Sequence, residues 1–72
     1  MSVKFKAINR YLKKNTKEEL RVEQYDNGYV AYIYFISWGD LYIHEEFNAT
    51  GKSPKIAISK LNNNIRKKEK EQ

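Results

Sequence analysis

The run Tyr29-Val30-Ala31-Tyr32-Ile33-Tyr34-Phe35-Ile36-Ser37-Trp38 leaves this chain little choice of fold. It is β-branched or aromatic almost throughout, a composition that packs well on a pleated surface and predicts a strand over 29–38. Asp26-Asn27-Gly28 stands directly before it. Asn-Gly is the favoured pair of a two-residue hairpin, because both positions must accept positive φ. Upstream, Leu20 and Val22 alternate with Arg21 and Glu23, which predicts a partner strand over 19–25. Downstream, Gly39-Asp40 predicts a second turn and Leu41–Phe47 a third strand. Three antiparallel strands in a meander follow.

The flanking segments carry helical spacing instead. Phe5, Ile8 and Leu12 recur at i, i+3 and i+7, with Met1 one turn earlier, so a helix is expected over 3–14 with Asn15-Thr16 ending it. Ser53 is a suitable N-cap and Pro54 suits the first helical position, where its missing N–H does no harm. A second helix is expected from 54 to about 68, burying Ala57, Ile58, Leu61 and Ile65. Residues 67–72 are charged and are expected to fray. The predicted fold is a single α+β domain over 1–72, with the two terminal helices packed on one face of the sheet (α-β-β-β-α). Leu20, Val22, Ala31, Ile33, Phe35, Leu41, Ile43 and Phe47 are expected on the covered face, and Tyr25, Tyr32, Tyr34, Tyr42 and His44 on the other. The middle strand is apolar on both sides, and a one-residue slip of register exchanges the two sets.

At 72 residues the chain buries only about 60% of the surface its unfolded form exposes. It has no cysteine, so disulfides and cysteine-based zinc sites are excluded. Met1–Leu12 is interleaved with Lys4, Lys6 and Arg10 and does not read as a signal peptide. Tyr29–Ile36, the longest apolar stretch, is far short of the roughly 20 residues of a membrane-spanning helix. A cytoplasmic location and no membrane partner are expected.

The formal charge is +5, unevenly placed: cations dominate both ends and acids the middle. That asymmetry suggests a polyanionic partner, DNA or RNA. The expected phosphate contacts are Lys52, Lys55, Lys60, Arg66 and Lys67, with Lys4, Arg10, Lys13 and Lys14 from the first helix. The aromatic set Tyr25, Tyr32, Tyr34, Tyr42 and Trp38 is expected either to stack unpaired bases or to anchor a protein partner or a second copy of the chain.

No catalytic residues, metal or cofactor are expected. Ala49-Thr50-Gly51-Lys52-Ser53 looks like the end of a phosphate-binding loop, but Glu46 stands where such a loop needs its first glycine. His44-Glu45-Glu46 is not a His-Glu-x-x-His motif, and alternation on a strand points neighbouring side chains to opposite faces. His44 is the one histidine, and no nucleophile–base pair stands out.

Gly51-Lys52-Ser53-Pro54-Lys55-Ile56-Ala57 resembles the Gly-x-Ser-Lys-Lys-x-Ala signature that opens the second helix of the double-stranded-RNA-binding domain family. The element order α-β-β-β-α is also that family's. The resemblance implies that Lys55, matching the second signature lysine, grips phosphate; Pro54 replaces the first. The family's longer histidine-bearing loop between its first two strands is replaced here by the short Asp26-Asn27-Gly28. A three-stranded sheet followed by a helix is similar too to the small arm-site DNA-binding domains of tyrosine recombinases, which would place the nucleic acid on the sheet.

Overall fold

The computed structural model describes residues 5–71. Its elements are α1 (Lys6–Lys14), β1 (Glu18–Tyr25), β2 (Gly28–Ser37), β3 (Asp40–Gly51) and α2 (Pro54–Lys70), with the strands antiparallel in the order β1-β2-β3. The predicted α-β-β-β-α fold is the observed one. Val3 and Lys4, expected within the first helix, and Met1, expected one turn before it, lie outside the described residues.

Both helices lie on one side of the sheet. Ala31, Ile33 and Phe47 from the strands meet Ala7 and Ile8 of α1 and Ala57, Leu61 and Ile65 of α2. Leu20, Val22 and Ala49 pack around this cluster. α2 begins as expected: Ser53 Oγ accepts the Ile56 N–H at 3.2 Å, with Pro54 in the first turn. It runs to Lys70, past the point where its charged end was expected to fray. Two ion pairs tether that last stretch, Glu69 to Arg10 and Lys68 to Glu46.

α1 has no local cap, since Phe5 contributes no side-chain hydrogen bond at its start. A helix start leaves backbone donors without partners. Here the Ile8 N–H donates to Asn62 Oδ1 at 3.0 Å, from the buried face of α2. The first helix is therefore capped by the last.

Both turns fall one residue earlier than the sequence suggests. Asp26 and Asn27 form the first, and Gly28 already pairs with Tyr25. Gly28 serves a different need: a Cβ there would lie 2.7 Å from the Gly51 carbonyl oxygen. The second turn is Trp38-Gly39, with Ser37 paired to Asp40. Both central residues have positive φ, 54° and 82°, the mirror-image turn geometry that matches strand twist.

The largest departure lies in β3. The strand extends to Gly51 rather than ending at Phe47, so the phosphate-loop-like residues Ala49-Thr50-Gly51 are strand. Between Tyr32 and Tyr34, β2 advances two residues while β3 advances five, from Asn48 to Ile43. The three extra residues form a bulge at His44-Glu45-Glu46. Three is odd, so the alternation of faces flips across it. Tyr42 pairs with Phe35 and stacks on it at 5.5 Å, and His44 stacks on buried Phe47 at 4.5 Å. Tyr42 and His44 thus lie on the helix side. Leu41 and Ile43, paired with Ile36 and Tyr34, lie on the open side. All four are the reverse of the sequence expectation.

No helix among the described residues is long and apolar enough to cross a membrane.

Candidate nucleic-acid interface

Folding separates the charges by layer. α1 carries Lys6, Arg10, Lys13 and Lys14 and no acid. α2 carries Lys55, Lys60, Arg66, Lys67, Lys68 and Lys70 against Glu69 alone. From Glu18 to Gly51 the sheet and its turns carry seven acids and one cation, Arg21. The helix layer is a cationic surface and the sheet an acidic one.

The amphipathic pattern produces this arrangement. Positions 57, 61 and 65 of α2 face the core and 62 faces α1, so 56, 60, 63, 67 and 70 recur three and four residues apart on the exposed side. Lys60, Lys67 and Lys70 occupy three of them, and Arg66 stands beside them. On α1, Ala7 and Ile8 are buried while Lys6, Asn9, Arg10 and Lys13 line a shallow groove of about 320 Å³. Lys52 and Lys55 are exposed at the start of α2, and Lys14 is exposed at the end of α1. Lys4 lies outside the described residues.

Two of the helix-layer cations are already engaged. Arg10 donates from Nη2 and Nε to the Glu69 carboxylate at 2.7 and 3.2 Å, a two-pronged pair joining the helices. That hydrogen bonding holds the Glu69 carboxyl below its usual range and the Arg10 guanidinium above its own. Arg10, expected to meet phosphate, is first an interhelix tie. Lys68 sits 3.1 Å from Glu46, and this hydrogen bond raises the ammonium pKa. Lys68 anchors the bulge rather than the cationic surface. Lys6 and Lys70, absent from the sequence-predicted set, join that surface.

His44-Glu45-Glu46, weighed in the sequence as a metal or acid–base motif, is the bulge. His44 Nδ1 accepts the Glu46 N–H at 3.2 Å, and Asn48 Nδ2 donates to the Glu45 carbonyl at 3.0 Å. These contacts replace ladder hydrogen bonds that the extra residues remove. His44 also borders a groove of about 350 Å³ between the end of α1 and β3, with Tyr11, Lys14 and Phe47.

The tyrosines do not form an open stacking platform. Tyr32 is only 5% exposed and donates its hydroxyl to Glu23 Oε2 at 2.7 Å. Tyr34 is half-buried beneath the Arg21 guanidinium, 5.5 Å from its ring centre. Tyr42 is on the other face and Tyr25 at the hairpin end of β1. A three-stranded sheet leaves room for cross-strand neighbours to close over its central tyrosine.

Two phenols, Tyr32 buried and Tyr11 partly buried, give an alkaline signature. Burial, then a 2.6 Å hydrogen bond to Glu18, pushes the Tyr11 phenol up; burial, then Glu23, does the same for Tyr32. A phenol whose folded pKa exceeds the unfolded value of about 10 contributes stability that is intact below that pH and lost as pH rises toward the folded value. The protein is therefore expected to lose stability above about pH 10. Denaturant midpoints measured across that range check this, and Tyr11→Phe is expected to flatten the decline.

No protein family model, curated protein or solved structure matches the chain.

Proposed function

We propose that the chain is a small nucleic-acid-binding protein that contacts backbone phosphates through its helix layer with little sequence selectivity. The partition of charge between the layers carries this reading. Phosphate neutralisation needs cations on a common surface with few competing acids, and the outward faces of α1 and α2 supply Lys6, Lys13, Lys60, Arg66, Lys67 and Lys70. Lys52, Lys55 and Lys14 extend the surface toward its ends. The resemblance of Gly51–Ala57 to the start of the second helix of double-stranded-RNA-binding domains supports the same layer, since there too the helix face meets phosphate. The acidic sheet argues against the recombinase-like alternative in which nucleic acid lies on the strands.

Lysines on the surface of a helix read charge rather than base edges. Duplex and single-stranded DNA and RNA of one length are therefore expected to bind with affinities within about tenfold of one another at low salt. Fluorescence anisotropy with four labelled 20-mers tests the proposal. Failure of all four to bind at low salt removes it.

A further inference from the structure

The β2–β3 hairpin projects beyond the rest of the sheet. Pairing with β1 begins at Glu18 opposite Phe35, so Ile36 to Leu41 form a two-stranded arm. Ile36, Leu41 and Ile43 share its open side and Trp38 stands at its tip, 64%, 43%, 51% and 98% accessible in turn. Trp38 stands at the tip with φ 54°, a conformation that bulky residues avoid. The open side and tip of the arm therefore bring four exposed apolar side chains together, the kind of exposed patch that marks an interaction site.

We propose that this arm docks on the α1 groove of a second copy of the chain, head to tail. Charge selects the occupant. Between Tyr34 and Ile43 the only charged residue is Asp40, with Glu19 and Glu45 on the adjoining sheet, so neither a polyanion nor an anionic lipid surface suits the arm. The chain itself carries the complementary surface. The groove of Lys6, Asn9, Arg10 and Lys13 is lined mainly by the carbon stems of cationic side chains and is flanked by the charges of Lys6 and Lys13, Arg10 being held by Glu69. An indole laid there gains apolar contact together with cation–π attraction, and Asp40 meets lysine.

A head-to-tail contact uses two different surfaces, so it does not close on itself and adds copies one after another. A contact built on four apolar side chains is smaller than a standard interface of roughly 800 Å² per partner, so the affinity is expected to be micromolar or weaker. Because the groove shares Lys6 and Lys13 with the proposed phosphate surface, an arm and a phosphate compete for α1.

Analytical ultracentrifugation of the full chain, with no nucleic acid present, tests this independently of the proposed function. The weight-average mass is expected to rise with protein concentration past that of a dimer, and the rise should shrink as salt is raised. Trp38→Gly, which the backbone at this position accommodates, and the double variant Lys6→Glu/Lys13→Glu should each remain monomeric. Mixed in equal amounts they should form a one-to-one dimer, since one retains the groove and the other the arm. A wild-type chain that stays monomeric up to millimolar concentration overturns the proposal. So does association that stops at a dimer and is not restored by mixing, or association that survives in Trp38→Gly.

Discussion

Leu61→Ala is expected to lower the melting temperature by roughly 10–20 °C, among the largest effects of any single truncation in this chain. Leu61 is fully buried at the centre of α2, where it packs within the cluster that joins both helices to β2 and β3. Removing a buried leucine side chain costs about 2–5 kcal/mol, the spread reflecting how far the cavity collapses. A chain of 72 residues has about 4–10 kcal/mol of total stability. The substitution thus removes a large fraction of it, and about 1 kcal/mol moves the midpoint of so small a domain by roughly 4–8 °C. Ile36→Ala is the matched control. Ile36 is also aliphatic but lies on the open side of the arm, so its truncation should change stability by less than about 0.5 kcal/mol. Circular dichroism melts of the two variants check both values.

The second large effect concerns binding. Lys60→Glu combined with Lys67→Glu reverses two cations seven residues apart on the outward side of α2. If each contacts a phosphate, the pair loses two favourable contacts and gains two repulsive ones. Affinity for a nucleic-acid 20-mer at low salt should fall by at least about a hundredfold. Glu19→Lys with Glu45→Lys changes the net charge by the same magnitude on the sheet, in the opposite sense. On this account it leaves the phosphate surface intact, so affinity should change by only severalfold and should not fall. The comparison separates a located surface from a general effect of net charge. Both substitutions are at exposed positions, so the variants should remain folded.

Much of this fold is legible in the residues. The 29–38 run could be little but a strand, and the Ser53-Pro54 pair fixed the start of α2, because both signals are local. The face of β3 was not legible, for a local pattern assumes unbroken alternation. The bulge at His44-Glu45-Glu46 is held by a histidine contact to the backbone, by Asn48 and by Lys68 from α2, and no sequence period reports it. The same three residues looked like candidate chemistry for the same reason: polar groups that hold an irregular backbone read as a motif.

Gly28 misled in a similar way. Asn-Gly suggests positive φ, whereas this glycine makes room for the carbonyl of Gly51, a contact distant in sequence. Asn62 was invisible as a cap because it serves a helix 54 residues away. Of the site, the cations were identifiable but not their engagements. Arg10 and Lys68 find carboxylates that come near only in the folded chain. A Tyr32 shielded by its cross-strand neighbours likewise depends on a thin sheet closing over its own centre.

The salt dependence of binding bears most directly on the idea that the two helices form one phosphate-contacting surface. Titrations of a labelled duplex from about 50 to about 200 mM monovalent salt give the number of phosphates engaged. For about four to six contacts the log–log slope should lie near −4 to −5, a loss of roughly a hundred- to a thousandfold over that range, and Lys60→Glu/Lys67→Glu should reduce its magnitude by about two. A slope near zero, or one that the double variant leaves unchanged, would contradict a cationic helix layer as the binding surface.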